Sequence, residues 1–62
     1  MKYSELLRLL KQDKWYVVSQ QGSHIKMRHP EKGRTLIVPD HGAKEVGKGL
    51  AAKLLRQAGL IK

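Results

Sequence analysis

The chain has 62 residues, with no cysteine and no phenylalanine. That length makes one domain near the lower limit for folding unaided, and neither a disulfide framework nor a thiolate zinc site is open to it. Thirteen Lys and Arg against five Asp and Glu give a net charge of +8, which points to a polyanionic partner: nucleic acid, an anionic membrane or an acidic protein. The plain alternative is a soluble domain with a lysine-rich surface. Basic residues are interleaved with apolar ones in every segment, so the charge belongs to a folded surface and not to a detachable tail.

The first element is a helix over about residues 5–13, with Ser4 as its N-cap and Glu5 in the first turn. Leu6, Leu9 and Leu10, with Leu7 alongside, form an apolar stripe opposite Arg8, Lys11 and Gln12. Glu5, Arg8 and Lys11 interrupt the leucines, which is unlike a signal peptide or a membrane span, so a cytoplasmic location is expected. Trp15 to Gln20 reads as a strand of aromatic and β-branched residues. Gln21-Gly22 turns the chain into a second strand, making a hairpin.

In that second strand residue types alternate strictly. His24, Lys26 and Arg28 fall on one face, Ile25 and Met27 on the other. The turn Pro30-Glu31-Lys32-Gly33 leads to a third strand, Arg34 to Val38, stopped by Pro39. Asp40 to Gly49 is loop-like, and a second helix runs from about Gly49 or Leu50 to Ala58. Ala51, Leu54, Leu55 and Ala58 recur at helical spacing, and Gly59 closes the helix.

The order helix, three antiparallel strands, helix predicts a single two-layer α+β domain over residues 1–62, with both helices on one face of the sheet. Its core is expected to pair Leu6, Leu9 and Leu10 with Ala51, Leu54 and Leu55, over Trp15, Ile25 and Val38. The other sheet face is left open for contact.

On that face His24 is the leading candidate for chemistry. Histidine titrates near neutrality, so it can take and return a proton within one turnover. Lys26 and Arg28 beside it suit a phosphate, and RNA brings its own nucleophile in the 2′-OH. On residue types alone a contact or packing role for a strand histidine remains the commoner one. His24 and His29 are five apart and face opposite ways, His41 is in a loop, and no metal or cofactor is expected. Ser23 faces away from His24 and serves the turn. Lys48, between Gly47 and Gly49 ahead of the second helix, is a further phosphate-binding candidate, equally readable as a flexible lead-in.

Several of these features together resemble one family, the HicA (YcfA-like) mRNA interferase toxins of bacterial toxin–antitoxin pairs. They are Ser4-Glu5-Leu6, Trp15, Gly22-Ser23-His24, Val38-Pro39 followed by His41-Gly42, and Leu54-Leu55-Arg56-Gln57-Ala58-Gly59-Leu60. The resemblance covers nearly the whole chain, and order and spacing carry it. It implies a fold like that of a double-stranded-RNA-binding domain, and cofactor-free ribonuclease activity on mRNA with the catalytic histidine at His24. It also implies a HicB-like antitoxin partner covering the active face. Two positions depart from the commoner family pattern: Lys14 stands for a frequent glycine, and Met27 for a larger aromatic residue. A non-catalytic RNA-binding module of the same fold is the alternative, and a basic protein meeting an acidic partner a third reading. His24 separates the first two, because binding alone does not need an imidazole there.

Overall fold

The structure, a computed structural model, describes residues 1–61. It contains α1 (Tyr3–Gln12), β1 (Tyr16–Gln21), β2 (His24–Arg28), β3 (Thr35–Pro39) and α2 (Lys48–Gln57). The three strands are antiparallel in the order β1-β2-β3. The α+β arrangement read from the sequence is present, and its shortest dimension, 16 Å, fits one sheet beneath one layer of helices.

The start of α1 differs from expectation. Lys2 is the N-cap, and Ser4 already lies within the first turn. The free N–H groups of that turn find tertiary partners: Tyr3 donates to the Lys44 carbonyl at 3.1 Å and Ser4 to the Gly42 carbonyl at 3.1 Å. Glu5 Oε1 accepts the Lys2 N–H at 3.0 Å, an acidic residue placed where the helix dipole favours it. The 40–49 loop is thus pinned to the start of the chain, with Val46 N–H donating to the Met1 carbonyl at 2.8 Å and its side chain buried.

The core holds Tyr3, Leu6, Leu7 and Leu10 of α1, with Trp15, Ile25, Met27, Leu36, Val38, Val46, Leu54 and Ala58. The expected Leu9 is not in it. Tyr3, Leu6, Leu7 and Leu10 share one stripe at i, i+3, i+4 and i+7, which leaves Leu9 on the flank, 38% exposed. Leu54 is buried as expected, while Leu50, Ala51 and Leu55 pack against the core without full burial.

Trp15 is also buried, but in the turn before β1 and not in the strand. Its N–H donates to the Leu10 carbonyl at 3.0 Å, and the Lys14 N–H donates to the Lys11 carbonyl at 3.0 Å. That pair of bonds is a Schellman closure with Lys14 at the left-handed position, φ 77°. The end of α2 repeats the closure, with Leu60 to Leu55 at 2.9 Å, Gly59 to Arg56 at 3.1 Å, and Gly59 at φ 78°.

The β2–β3 connection fastens both helix ends. Lys32 Nζ lies 2.7 Å from Asp13 Oδ2 and donates to the Ala58 carbonyl at 2.7 Å. It also stands 5.9 Å from the centre of the Trp15 ring. Arg34 Nη1 donates to the Gln57 carbonyl at 3.0 Å. Two cations therefore sit at the α2 C-terminus, where carbonyls lack partners and the dipole is negative.

Candidate nucleic-acid interface

Strand alternation divides β2 as the sequence predicts: Ile25 and Met27 are buried, and His24, Lys26 and Arg28 are exposed. Directly paired residues on neighbouring strands share a face. The open face therefore carries three rows: Gln21, His24 and Pro39; Ser19, Lys26 and Ile37; Tyr16, Arg28 and Thr35. His24 is the first residue of β2, at the end of a two-residue turn. Gly22 has φ 58° and Ser23 does not share the positive φ, the pattern of a II′ hairpin, which requires glycine at its first position. The Ser23 carbonyl accepts the Asp40 N–H at 2.6 Å, which binds the turn to the end of β3.

The five Asp and Glu side chains are all engaged away from this face. Glu5 accepts from Lys2 N–H, Asp13 pairs with Lys32, Glu31 with Lys14 at 3.4 Å, Asp40 Oδ1 accepts from Gly42 N–H, and Glu45 pairs with the Met1 ammonium at 2.8 Å. Lys32 holds the Asp13 carboxyl below the ordinary carboxylate range by a direct hydrogen bond. Among the described residues the only formal charges left on the open face are cations, so its field attracts phosphate.

A groove of about 420 Å³ runs from His24 over the edge of β3 to α2, lined by His24, Thr35, Ile37 and Pro39 on one side and Leu50, Lys53, Leu54 and Gln57 on the other. Lys53 thus faces His24 across the groove. Lys48, the first residue of α2, does not join it. At ~100° per residue it points about 160° away from Leu50 and about 180° from Gln57.

The other two histidines have different surroundings. His29 lies past the end of β2 and is buried. Its Nδ1 accepts the Glu31 N–H at 3.0 Å, so Nε2 carries the proton and donates to the Asp13 carbonyl. It ties the end of α1 to the β2–β3 connection and packs edge-on to Trp15, ring centres 5.3 Å apart. His41 packs edge-on to Tyr3 at 5.0 Å. Among the described residues, no three His, Cys, Asp or Glu side chains gather into a metal-binding group.

A family profile described as the HicA toxin of bacterial toxin-antitoxin matches residues 3–60. The chain belongs to the HicA toxin family. A relative from Pseudomonas fluorescens (strain Pf0-1), named probable mRNA interferase HicA, is 43% identical over 60 residues, covering 97% of each chain. The HicA match takes in both helices, all three strands and the open face from Tyr16 to Pro39. No helix of this HicA-family chain, among the described residues, is long and apolar enough to cross a membrane.

Sequence reasoning brought His24, Lys26 and Arg28 together and missed Lys53. The signal was present: Leu50, Lys53, Leu54 and Gln57 recur at i, i+3, i+4 and i+7, a second stripe beside the core-facing one.

Proposed function

We propose that this toxin is an mRNA interferase, an endoribonuclease whose open sheet face binds single-stranded mRNA and whose His24 moves the proton during cleavage. One observation carries the reading: an exposed imidazole on a face that holds Lys26 and Arg28 and, among the described residues, no carboxylate. The name of the Pseudomonas fluorescens relative supports the choice of RNA as substrate.

The chemistry needs little else. His24 takes the proton of the 2′-OH as O2′ bonds to phosphorus, and returns it to the 5′ oxygen as the P–O5′ bond breaks. The products are a 2′,3′-cyclic phosphate and a 5′-hydroxyl. Lys26 and Arg28 hold backbone phosphates, and Lys53 offsets charge developing at the scissile phosphate across the groove. Lys48, on the far side of α2, adds to long-range attraction. The same reading makes the open face the seat of the antitoxin: a HicB-like protein that lays its own carboxylates over His24, Lys26 and Arg28 excludes RNA. Cleavage of mRNA places the activity in the cytoplasm.

The deciding experiment is His24→Ala, which is expected to lower cleavage by about 10²–10⁴-fold while fold and RNA affinity persist. DNA of the same sequence is not cut, because it lacks the 2′-OH, and EDTA changes nothing. Ser23→Ala is the control that keeps activity; His29→Ala is unsuited to that purpose, because it removes a buried structural tether. Activity surviving in His24→Ala sinks the assignment, and activity lost to EDTA sinks the metal-free route.

A further inference from the structure

The open face does not end at the cations. Tyr16 pairs with Arg28 in the row farthest from His24, and half of its surface is exposed. Its ring is on the face that carries no carboxylate, since Arg28 and Thr35 in the same row both point outward. The core does not need it: the aromatic residue that fills the core at this point is its neighbour Trp15, which is 2% exposed. An exposed aromatic ring beside a guanidinium, at one end of a cationic track, has the composition of a nucleobase platform, where a base stacks on the ring while its phosphate is held alongside.

Position along the strand sets which base it reaches. His24 and Arg28 are the two ends of β2, a span of about 14 Å at ~3.4 Å per residue, which is longer than one nucleotide of an extended strand. The intervening row of Ser19, Lys26 and Ile37 supplies one more cation on the way. We propose that Tyr16 stacks a base of single-stranded RNA lying more than one nucleotide from the phosphate at His24, and so sets the length of RNA that this face grips. The proposal rests on the RNA-cleaving reading for its substrate, and it commits to single-stranded RNA because Lys26 and Arg28 line the way from Tyr16 to the His24 groove with no Asp or Glu between them.

The test measures affinity for a single-stranded RNA octamer in a His24→Ala background, where the RNA survives. Adding Tyr16→Leu is expected to weaken binding about ten- to a hundredfold, and Tyr16→Phe in its place restores what leucine loses. In the cleaving protein the penalty of Tyr16→Leu appears on the octamer and vanishes on a dinucleotide, which is too short to span from His24 to Tyr16. Octamer affinity unchanged by Tyr16→Leu overturns the proposal, and so does phenylalanine failing to restore it. An equal loss on the dinucleotide overturns it too, by moving the effect to the His24 end or to the fold. Binding that depends on Tyr16 in a protein that cuts no RNA leaves the platform standing and removes the nuclease reading.

Discussion

Lys14 and Gly59 occupy the same left-handed position in two copies of one helix closure, at φ 77° and 78°, and substitution should move stability in opposite directions at the two sites. For an L-residue that conformation costs roughly 1–2 kcal/mol relative to the right-handed region, a cost glycine avoids. Lys14→Gly removes it, and offsets part of the gain through the larger entropy of glycine in the unfolded chain. The change also deletes the Lys14–Glu31 pair, whose side chains are 69% and 71% exposed and 3.4 Å apart; that exposure and spacing put it at the low end of the ~0.2–1 kcal/mol range of surface pairs. The net expectation is a gain of about 0.5–1 kcal/mol, or an upward shift of about 2–8 °C in the thermal midpoint of a domain this small. At Gly59 the sign reverses. A Cβ there meets Lys32 Nζ at 3.2 Å, on the same left-handed backbone, so Gly59→Ala loses about 1–2 kcal/mol. Circular dichroism melts in a His24→Ala background measure both, with Lys14→Ala as the control that drops the ion pair and keeps the strained backbone. A midpoint unmoved or lowered by Lys14→Gly refutes the account of the closure.

Leu54→Ala should lose ~2–5 kcal/mol and Leu9→Ala far less, since one is buried and the other 38% exposed; urea unfolding that ranks them the other way places the core on the wrong face of α1. Because Lys32 depresses the Asp13 carboxyl, the stability it contributes is present above the unfolded carboxyl pKa and is lost as pH falls through the lower folded value. Asp13→Asn should then cost more at about pH 7 than at about pH 3, and an equal loss at both would remove the ion pair from the explanation. Binding of single-stranded RNA to the His24→Ala protein should weaken linearly in log salt, with a slope near −0.7 per phosphate contacted that shrinks in Lys26→Ala; a flat salt response removes nucleic acid as the ligand.

The sheet was more legible than its surroundings. A period of two with turn residues at each end defines β2 almost alone, and because paired residues share a face, placing His24, Lys26 and Arg28 also orients the rows beside them. The helices were read less well. The leucines at 6, 7, 9 and 10 satisfy two stripes at once, and Tyr3, which the sequence reading left outside the helix, decides between them. Ser4 has the chemistry of a cap, but carbonyls from residues 42 and 44 reach the first turn, a partnership between segments far apart in the chain. His29 gave no sign of its role because both of its hydrogen-bond partners are backbone groups, which every residue type offers.

Lys32 has a consequence for how the molecule comes apart. One ammonium joins the end of α1 through Asp13, the end of α2 through the Ala58 carbonyl, and the face of Trp15. Fraying of either C-terminus breaks one arm of this shared contact and loosens the other, which couples the opening of the two ends. Amide hydrogens in the last turns of α1 and α2 should accordingly exchange with solvent at matched rates, near those of the central strand. Replacing Lys32 with methionine, which keeps much of the stem over Trp15 and drops the charge, should let those rates separate, because α1 is then held at its end by His29 and α2 by Arg34, two contacts that no longer meet in one side chain.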